Sequence, residues 1–253
     1  MTRIEPARAS GTTPPGTCDE KSASRWVQRM FEDVAPRYDL LNHLLSFNID
    51  RGWRRELVEG LKPVLGRVEA TALDLCCGTG DVLFDLERAV PARVLGADFC
   101  HPMLVAAQVK ANRLRLPSAF FEADALRLPL KNESLDGIAI AFGFRNLSNY
   151  ETALEELARI LRPGGMLAIL EFSHPPGRLM KALYGFYSRV ILPAIGGAIS
   201  GSRDAYTYLP ESIRKFPRAP ELCAMMTASG FASAEYRLLT GGIAAMHIGR
   251  KSA

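Results

Sequence analysis

Thr71-Ala72-Leu73-Asp74-Leu75-Cys76-Cys77-Gly78-Thr79-Gly80-Asp81 is the stretch that decides the fold of this chain. Its first seven residues read as a buried strand, its two glycines as a sharp turn, and 82–89 as the helix that follows. A second apolar run over 92–98 ends in Asp98, roughly 20 residues past the first glycine, where α/β folds place the carboxylate that binds ribose hydroxyls. This order predicts a nucleotide-type site. The loop narrows the ligand: a dinucleotide fingerprint needs a third glycine three positions after Gly80, and Leu83 stands there. Asp81 would also set negative charge beside a pyrophosphate, so a phosphate ligand is disfavoured.

Outward from this stretch, helical spacing of Trp26, Met30, Val34, Leu40, Leu41, Leu44 and Leu45 predicts two or three helices over 24–65, broken at Pro36 and Pro63. Downstream, strands are expected over 72–77, 92–98, 119–123, 135–141 and 166–172. Helices are expected over 82–89, 103–113 and 150–160, with Pro163-Gly164-Gly165 stopping the last of them. Such alternation predicts a doubly wound, mostly parallel α/β sheet with N-terminal helices. Over 175–210 the pattern changes. Leu179, Leu183, Phe186, Tyr187 and Val190 fall on roughly one helical stripe, which predicts a helical insertion before the terminal strands. A helix over 219–228 and a hairpin of 232–239 and 243–248, joined by Thr240-Gly241-Gly242, complete the pattern.

At 253 residues and 48% hydrophobic content, the chain suffices for one α/β domain, placed at 25–253 with 175–210 as a substrate-side insertion. Residues 1–24 contain Pro14-Pro15-Gly16 and no apolar core, and read as a disordered lead. The net charge of +4 is scattered among acids. Nucleic acid is not implied, while transient contact with an anionic membrane surface is compatible. Five cysteines without a CxxC or a paired His spacing argue for a reducing compartment and no metal site. Cys76 and Cys77 read as small apolar filler. No stretch reaches the roughly 20 uncharged residues of a spanning helix, so a cytoplasmic location is expected, at most peripheral to the inner membrane face.

S-adenosyl-L-methionine has no phosphate, carries a sulfonium and an ammonium, and suits a pocket rimmed by Asp74, Asp81 and Asp98. It is the expected ligand, as methyl donor. The DxCCGTGD turn, Asp98 and the alternation together resemble class I S-adenosylmethionine-dependent methyltransferases. Tyr38-Asp39-Leu40-Leu41-Asn42-His43-Leu44-Leu45-Ser46, with Trp53 following, and Arg159-Ile160-Leu161-Arg162-Pro163-Gly164-Gly165-Met166, running into Leu170-Glu171-Phe172-Ser173, are similar to the two signature segments of the ubiquinone/menaquinone biosynthesis C-methyltransferases. Phe142-Gly143-Phe144-Arg145-Asn146 resembles that family's Phe-Gly-Leu-Arg-Asn segment. The resemblance spans about 25–250. Two positions depart from it: Asp50 stands where members often have His, and Ala141 where many have a Ser that contacts the cofactor.

The resemblance implies C-methylation of a reduced, prenylated quinone precursor. Demethylmenaquinol is favoured because the Asp50 region and the Cys76-Cys77 form of the loop look like members from menaquinone-making bacteria; a methoxybenzoquinol of ubiquinone synthesis is the alternative. Gly78, Thr79 and Gly80 are expected to bring donors to the methionine carboxylate, using the helix N-terminus near Asp81. Asp98 is expected to accept from both ribose hydroxyls. Family resemblance puts adenine at Asp124 and the Ala125 amide. At the substrate end, Arg145 is the first choice for a phenolate oxygen, with Asn146 beside it and His174 as proton carrier. Tyr38 and Asp39 are placed to close over the cofactor from the N-terminal helices. Other readings stay open: Thr79 as a turn hydroxyl, Asp124 as a cap, Arg145 paired with Glu171, His174 as a loop histidine and Tyr38 as a core aromatic. The 179–198 stripe either covers the sheet as ordinary core or lines a groove for the polyprenyl tail. A non-catalytic S-adenosylmethionine sensor or scaffold is a further alternative, and both a homodimer and a quinone-synthesis complex stay open.

Overall fold

A computed structural model describes residues 11–35, 38, 48–177, 185 and 203–253, with 203–207 described by their backbone alone. Their strands form one seven-stranded sheet in the order β3-β2-β1-β4-β5-β7-β6. The strands are β1 (Thr71–Leu75), β2 (Arg93–Asp98), β3 (Ala119–Glu122), β4 (Leu135–Ala141), β5 (Leu161–Phe172), β6 (Phe231–Leu239) and β7 (Ala244–Lys251). Only β7 runs against the rest, pairing antiparallel with both β5 and β6. The helices are α1 (Glu20–Val34), α2 (Asp50–Leu65), α3 (Asp81–Ala89), α4 (His101–Leu114), α5 (Tyr150–Ile160), α6 (Arg203–Lys215) and α7 (Ala219–Ala228). The doubly wound, mostly parallel sheet is therefore as expected.

The sheet sits between two apolar layers, which is why β4 is a near-continuous buried run rather than an alternating one. On one face Leu57, Leu61 and Leu65 of α2 pack with Leu83 and Leu86 of α3. On the other, Leu154 and Leu157 of α5 meet Leu222 and Met226 of α7. At the sheet's N-terminal end, buried Asp136 pairs with Arg67 and Arg162 and accepts from the Thr71 amide at 2.8 Å, tying β1, β4 and β5 together away from the ligand end.

Several expectations need correction. Pro63 does not break its helix: α2 runs through it to Leu65, held by the buried stripe on both sides of the ring. Pro163-Gly164-Gly165 lies inside β5, not between helix and strand. The helix ends at Ile160 because Arg162 precedes a proline and is steered to extended backbone, and the strand then takes up the extra residues as a register shift opposite Leu135 and Gly137. Of the insertion expected over 175–210, the described residues show its entry to 177 and α6, which continues through Pro210 to Lys215. Apart from Gly185, the stripe over 179–198 lies outside the described residues, as does the segment 39–46.

The expected disordered lead is the largest correction. From Gly11 onward it is fastened: the Gly11 and Thr12 amides donate to the carbonyls of Ser148 (3.1 Å) and Leu147 (2.8 Å), and α1 begins within it. Asp19 caps that helix reciprocally with Ser22, a pattern that outweighs the composition of the prolines before it.

His247 on β7 is 1% exposed, and burial lowers its pKa to about 4, the backbone of Ile169 and Ala219 opposing this only in part. The unfolded chain, with a histidine near 6.5, then binds more protons than the fold between pH 4 and 6.5. The contribution of His247 to stability is complete above this window and is lost as pH drops through it, by on the order of 3 kcal/mol at the acid end, while buried Asp98, raised to about 6, acts in the opposite sense over the same range. Urea titrations across that range should show His247→Leu with a shallower acid limb than the parent; parallel limbs would mean that other groups cause the loss.

Candidate active site

A cavity of about 550 Å³ opens at the carboxyl ends of β1, β2 and β4, where the strand order reverses between β1 and β4. Open α/β sheets place ligands at this switch point. Its floor is made by the ends of two adjacent strands. Cys76 (φ 56°) and Phe142 (φ 57°) both adopt left-handed backbone there, a conformation that costs non-glycine residues about 1 kcal/mol or more. The two turns touch closely: a Cβ on Gly143 would lie 2.4 Å from that of Cys76, so only glycine fits. Gly80, with φ 88°, supplies the left-handed turn into α3.

Asp98 ends β2 at 6% exposure in the cavity wall. Its carboxylate accepts from the amides of Gly78 (2.9 Å) and Cys100 (2.9 Å). Burial raises its pKa to about 6 despite those two donors. Glu122 and Asp124 continue the wall, with Ala125 beside them. Opposite stand Lys21, Arg25 and Gln28 of α1 and the rings of Phe31, Tyr38 and Phe99.

Of the residues expected to hold the cofactor, Gly78, Asp98, Asp124 and Ala125 line the cavity, whereas Thr79 and Gly80 do not. The loop does not offer its glycine amides as expected. Gly78 N–H is taken by Asp98, and Gly80 N–H donates to the Cys77 carbonyl at 2.8 Å. Gly78 thus acts through shape, as a stretch of cavity wall without a side chain, and Gly80 through the left-handed turn behind it. Asp74 and Asp81 leave the rim as well. Asp74 is 1% exposed and accepts from the Leu83 amide, capping the start of α3, and burial pushes its carboxyl well above the usual range. Asp81 turns outward to Lys110 (2.5 Å) and Arg54 (3.5 Å). Asp124 accepts from the Leu126 amide at 2.9 Å, so it caps a turn while facing the cavity.

At the substrate end, Asn146 lines the cavity and Arg145 does not. Arg145 follows β4 and Glu171 lies near the end of β5, strands whose register sets Ala141 opposite Leu170. Nη1 of Arg145 donates to both Glu171 oxygens (3.1 and 3.0 Å) and to the Phe142 carbonyl, and the guanidinium lies 5.5 Å from the Phe172 ring. Glu171 also accepts from the amides of Arg145 (3.1 Å) and Phe172 (3.0 Å). Arg145 is therefore half of a buried, neutralised pair, which corrects its reading as a free cation for a phenolate. His174 is half-buried just past β5 and outside the cavity wall. What the sequence reading missed is α1, a cavity wall that no motif marks.

A side-chain-free approach at Gly78 and a wall carrying the buried Asp98 carboxylate fit a nucleoside ligand whose hydroxyls donate to that carboxylate. Solved structures share the fold. The chain is similar to a SAM-dependent methyltransferase from Aquifex aeolicus (22% identity, TM-score 0.55, covering 74% of this chain and 84% of that one). It is also similar to the [4+2]-cyclase SpnF (17% identity, TM-score 0.69, covering 96% and 100%). At such identities these show the fold alone: that of class I methyltransferases.

Sequence comparison is more specific. The model of the ubiE/COQ5 methyltransferase family matches residues 18–251, and the chain belongs to that family. It is 51% identical over 221 residues to the demethylmenaquinone methyltransferase of Thermus thermophilus, covering 87% of this chain and 99% of the relative. It is 44% identical over 238 residues to that of Deinococcus radiodurans, covering 94% and 97%. A ubiquinone/menaquinone biosynthesis C-methyltransferase of Syntrophotalea carbinolica is 45% identical over 225 residues, covering 88% and 93%. No described helix is long and apolar enough to cross a membrane.

Proposed function

We propose that this protein transfers a methyl group from S-adenosylmethionine to a ring carbon of a reduced, prenylated quinone precursor, demethylmenaquinol. The observation that carries the reading is the cavity at the switch point with Asp98 buried in its wall, in a chain of this family. The bound donor supplies an electrophilic methyl carbon on a sulfonium. Asp98 accepts from the ribose hydroxyls, Asp124 and Ala125 hold the base, and the floor at Gly78 lets the ligand approach the backbone, with Thr79 and Gly80 fixing the turn behind it. The acidic wall favours a ligand carrying positive charge.

The acceptor has to be the hydroquinone, because only its phenolate pushes electron density onto the adjacent ring carbon. The chain's own part is to align that carbon, exclude water and stabilise the developing phenolate. Asn146 presents its amide to the ring oxygen. The pair of Arg145 and Glu171 fixes the turn that carries Asn146 and adds no free charge. The Phe142 ring, packed 4.8 Å from Phe172 and 6.0 Å from Trp53, gives an apolar side on which an aromatic acceptor can lie. His174 lies outside the cavity wall and is the candidate to take up the proton once it has left the ring.

The ring is decided by offering demethylmenaquinol and the methoxybenzoquinol in parallel with methyl-labelled S-adenosylmethionine. Label bound to carbon on the naphthoquinol, at the higher kcat/KM, is expected. The reverse preference moves the protein to ubiquinone synthesis, and no label on either ring overturns the quinone reading.

A further inference from the structure

Asn146 is not held by its own turn alone. Its Nδ2 lies 3.4 Å from the Phe142 carbonyl, a group that can only accept, which fixes which end of the carboxamide is which. Oδ1 then points the other way, and the Tyr208 hydroxyl donates to it at 3.1 Å. Tyr208 has one proton to give. Its second contact, to Thr12 Oγ1 at 2.6 Å, must therefore run from threonine to tyrosine. The result is a one-directional chain, Thr12 to Tyr208 to Asn146, through three side chains that are 4%, 4% and 7% exposed. Its members come from the N-terminal strap, from α6 and from the cavity wall, 196 and 62 residues apart in sequence.

We propose that Tyr208 and Thr12 are positioning residues for methyl transfer, which lock the Asn146 carboxamide with its NH₂ edge as the only donor it can present to the acceptor's ring oxygen. The proposal rests on the reading of Asn146 as the group that meets that oxygen. Without the tyrosine proton, Oδ1 loses its donor, and only the long 3.4 Å contact of Nδ2 with the Phe142 carbonyl opposes a turn of the amide that would aim an acceptor at the phenolate it should stabilise. The strap thereby reaches the chemistry. Thr12 itself is set by its backbone, whose amide bonds Leu147, so removing the hydroxyl does not release the segment.

The test compares variants that keep shape and lose one hydrogen bond. Tyr208→Phe retains the ring beside Trp26, at 5.0 Å between centroids. It should lower kcat by about tenfold, the usual worth of one orienting hydrogen bond, with KM for the quinol and Kd for S-adenosylmethionine changed by less than about threefold. Thr12→Val should lower kcat in the same way and Thr12→Ser should restore it. Because the chain is serial, Thr12→Val together with Tyr208→Phe should be no slower than Tyr208→Phe alone. A merely structural role predicts additive losses that follow the melting temperature and no rescue by serine; that pattern, or full turnover in Tyr208→Phe beside an inactive Asn146→Ala, overturns the relay. Full turnover in Asn146→Ala instead overturns the reading of Asn146, and the relay falls with it.

Discussion

Replacing Asp98 by alanine is expected to weaken S-adenosylmethionine binding by ~10²–10³-fold and to abolish turnover at ordinary donor concentrations. Two hydroxyls donating to one buried carboxylate are together worth roughly 3–4 kcal/mol. The same variant releases the Gly78 amide, which Asp98 holds at 2.9 Å, so the floor of the cavity loosens as well. The carboxylate also gives binding a pH signature. With its pKa raised to about 6 by burial, Asp98 is partly protonated in the free protein just where the acceptor role needs it ionised. Hydroxyl donors favour the charged form, so binding lowers this pKa and releases protons near pH 6. Affinity should therefore level off near pH 7 and fall by up to about tenfold per unit below pH 6. The ligand's own α-amino and α-carboxyl groups titrate near 8 and 3.5, outside this window. Calorimetric titration at about pH 7, 6 and 5 reads both quantities. Asp98→Asn should remove the slope, and a level profile in the parent would contradict the assignment.

Arg145→Met should cost about 3–5 kcal/mol of stability, because Glu171 is wholly buried and would be left without its countercharge. Burial already pushes the Glu171 carboxyl up, and Arg145 with two backbone amides pulls it back. Glu171→Met should be comparably damaging. Replacing both together removes both buried charges and should recover most of the loss, since two apolar side chains of similar size face no desolvation cost. Denaturant titrations of the four proteins give the coupling directly. If the double variant is as unstable as the sum of the singles, the pair is not what holds the turn that follows β4.

The parts of the site that are local in sequence were legible in it. Gly78, Gly80 and Asp98 sit within one strand–turn–helix–strand unit, whose geometry follows from residue type and spacing. The parts that depend on which hydrogen bond wins were not. Nothing in the loop says that the Gly78 amide goes to Asp98 and the Gly80 amide to a carbonyl, or that Asp74 caps α3 in place of facing the ligand. Arg145 and Glu171 are 26 residues apart, yet they follow neighbouring parallel strands, so their pairing was available once the register was known. α1 was legible as a helix, but no periodicity tells which of its faces will meet a cavity made by other elements. The strap was misread because proline-rich composition argues for disorder, while its anchors, the carbonyls of Leu147 and Ser148, lie far along the chain.

The ring must be reduced to act as the carbon nucleophile in this cavity. The most direct measurement is an anaerobic single turnover, with protein preloaded with methyl-labelled S-adenosylmethionine and mixed with demethylmenaquinol or with its oxidised quinone. Label should appear on a ring carbon of the quinol and stay on the donor with the quinone. Equal transfer to both would rule out a phenolate-driven carbon nucleophile.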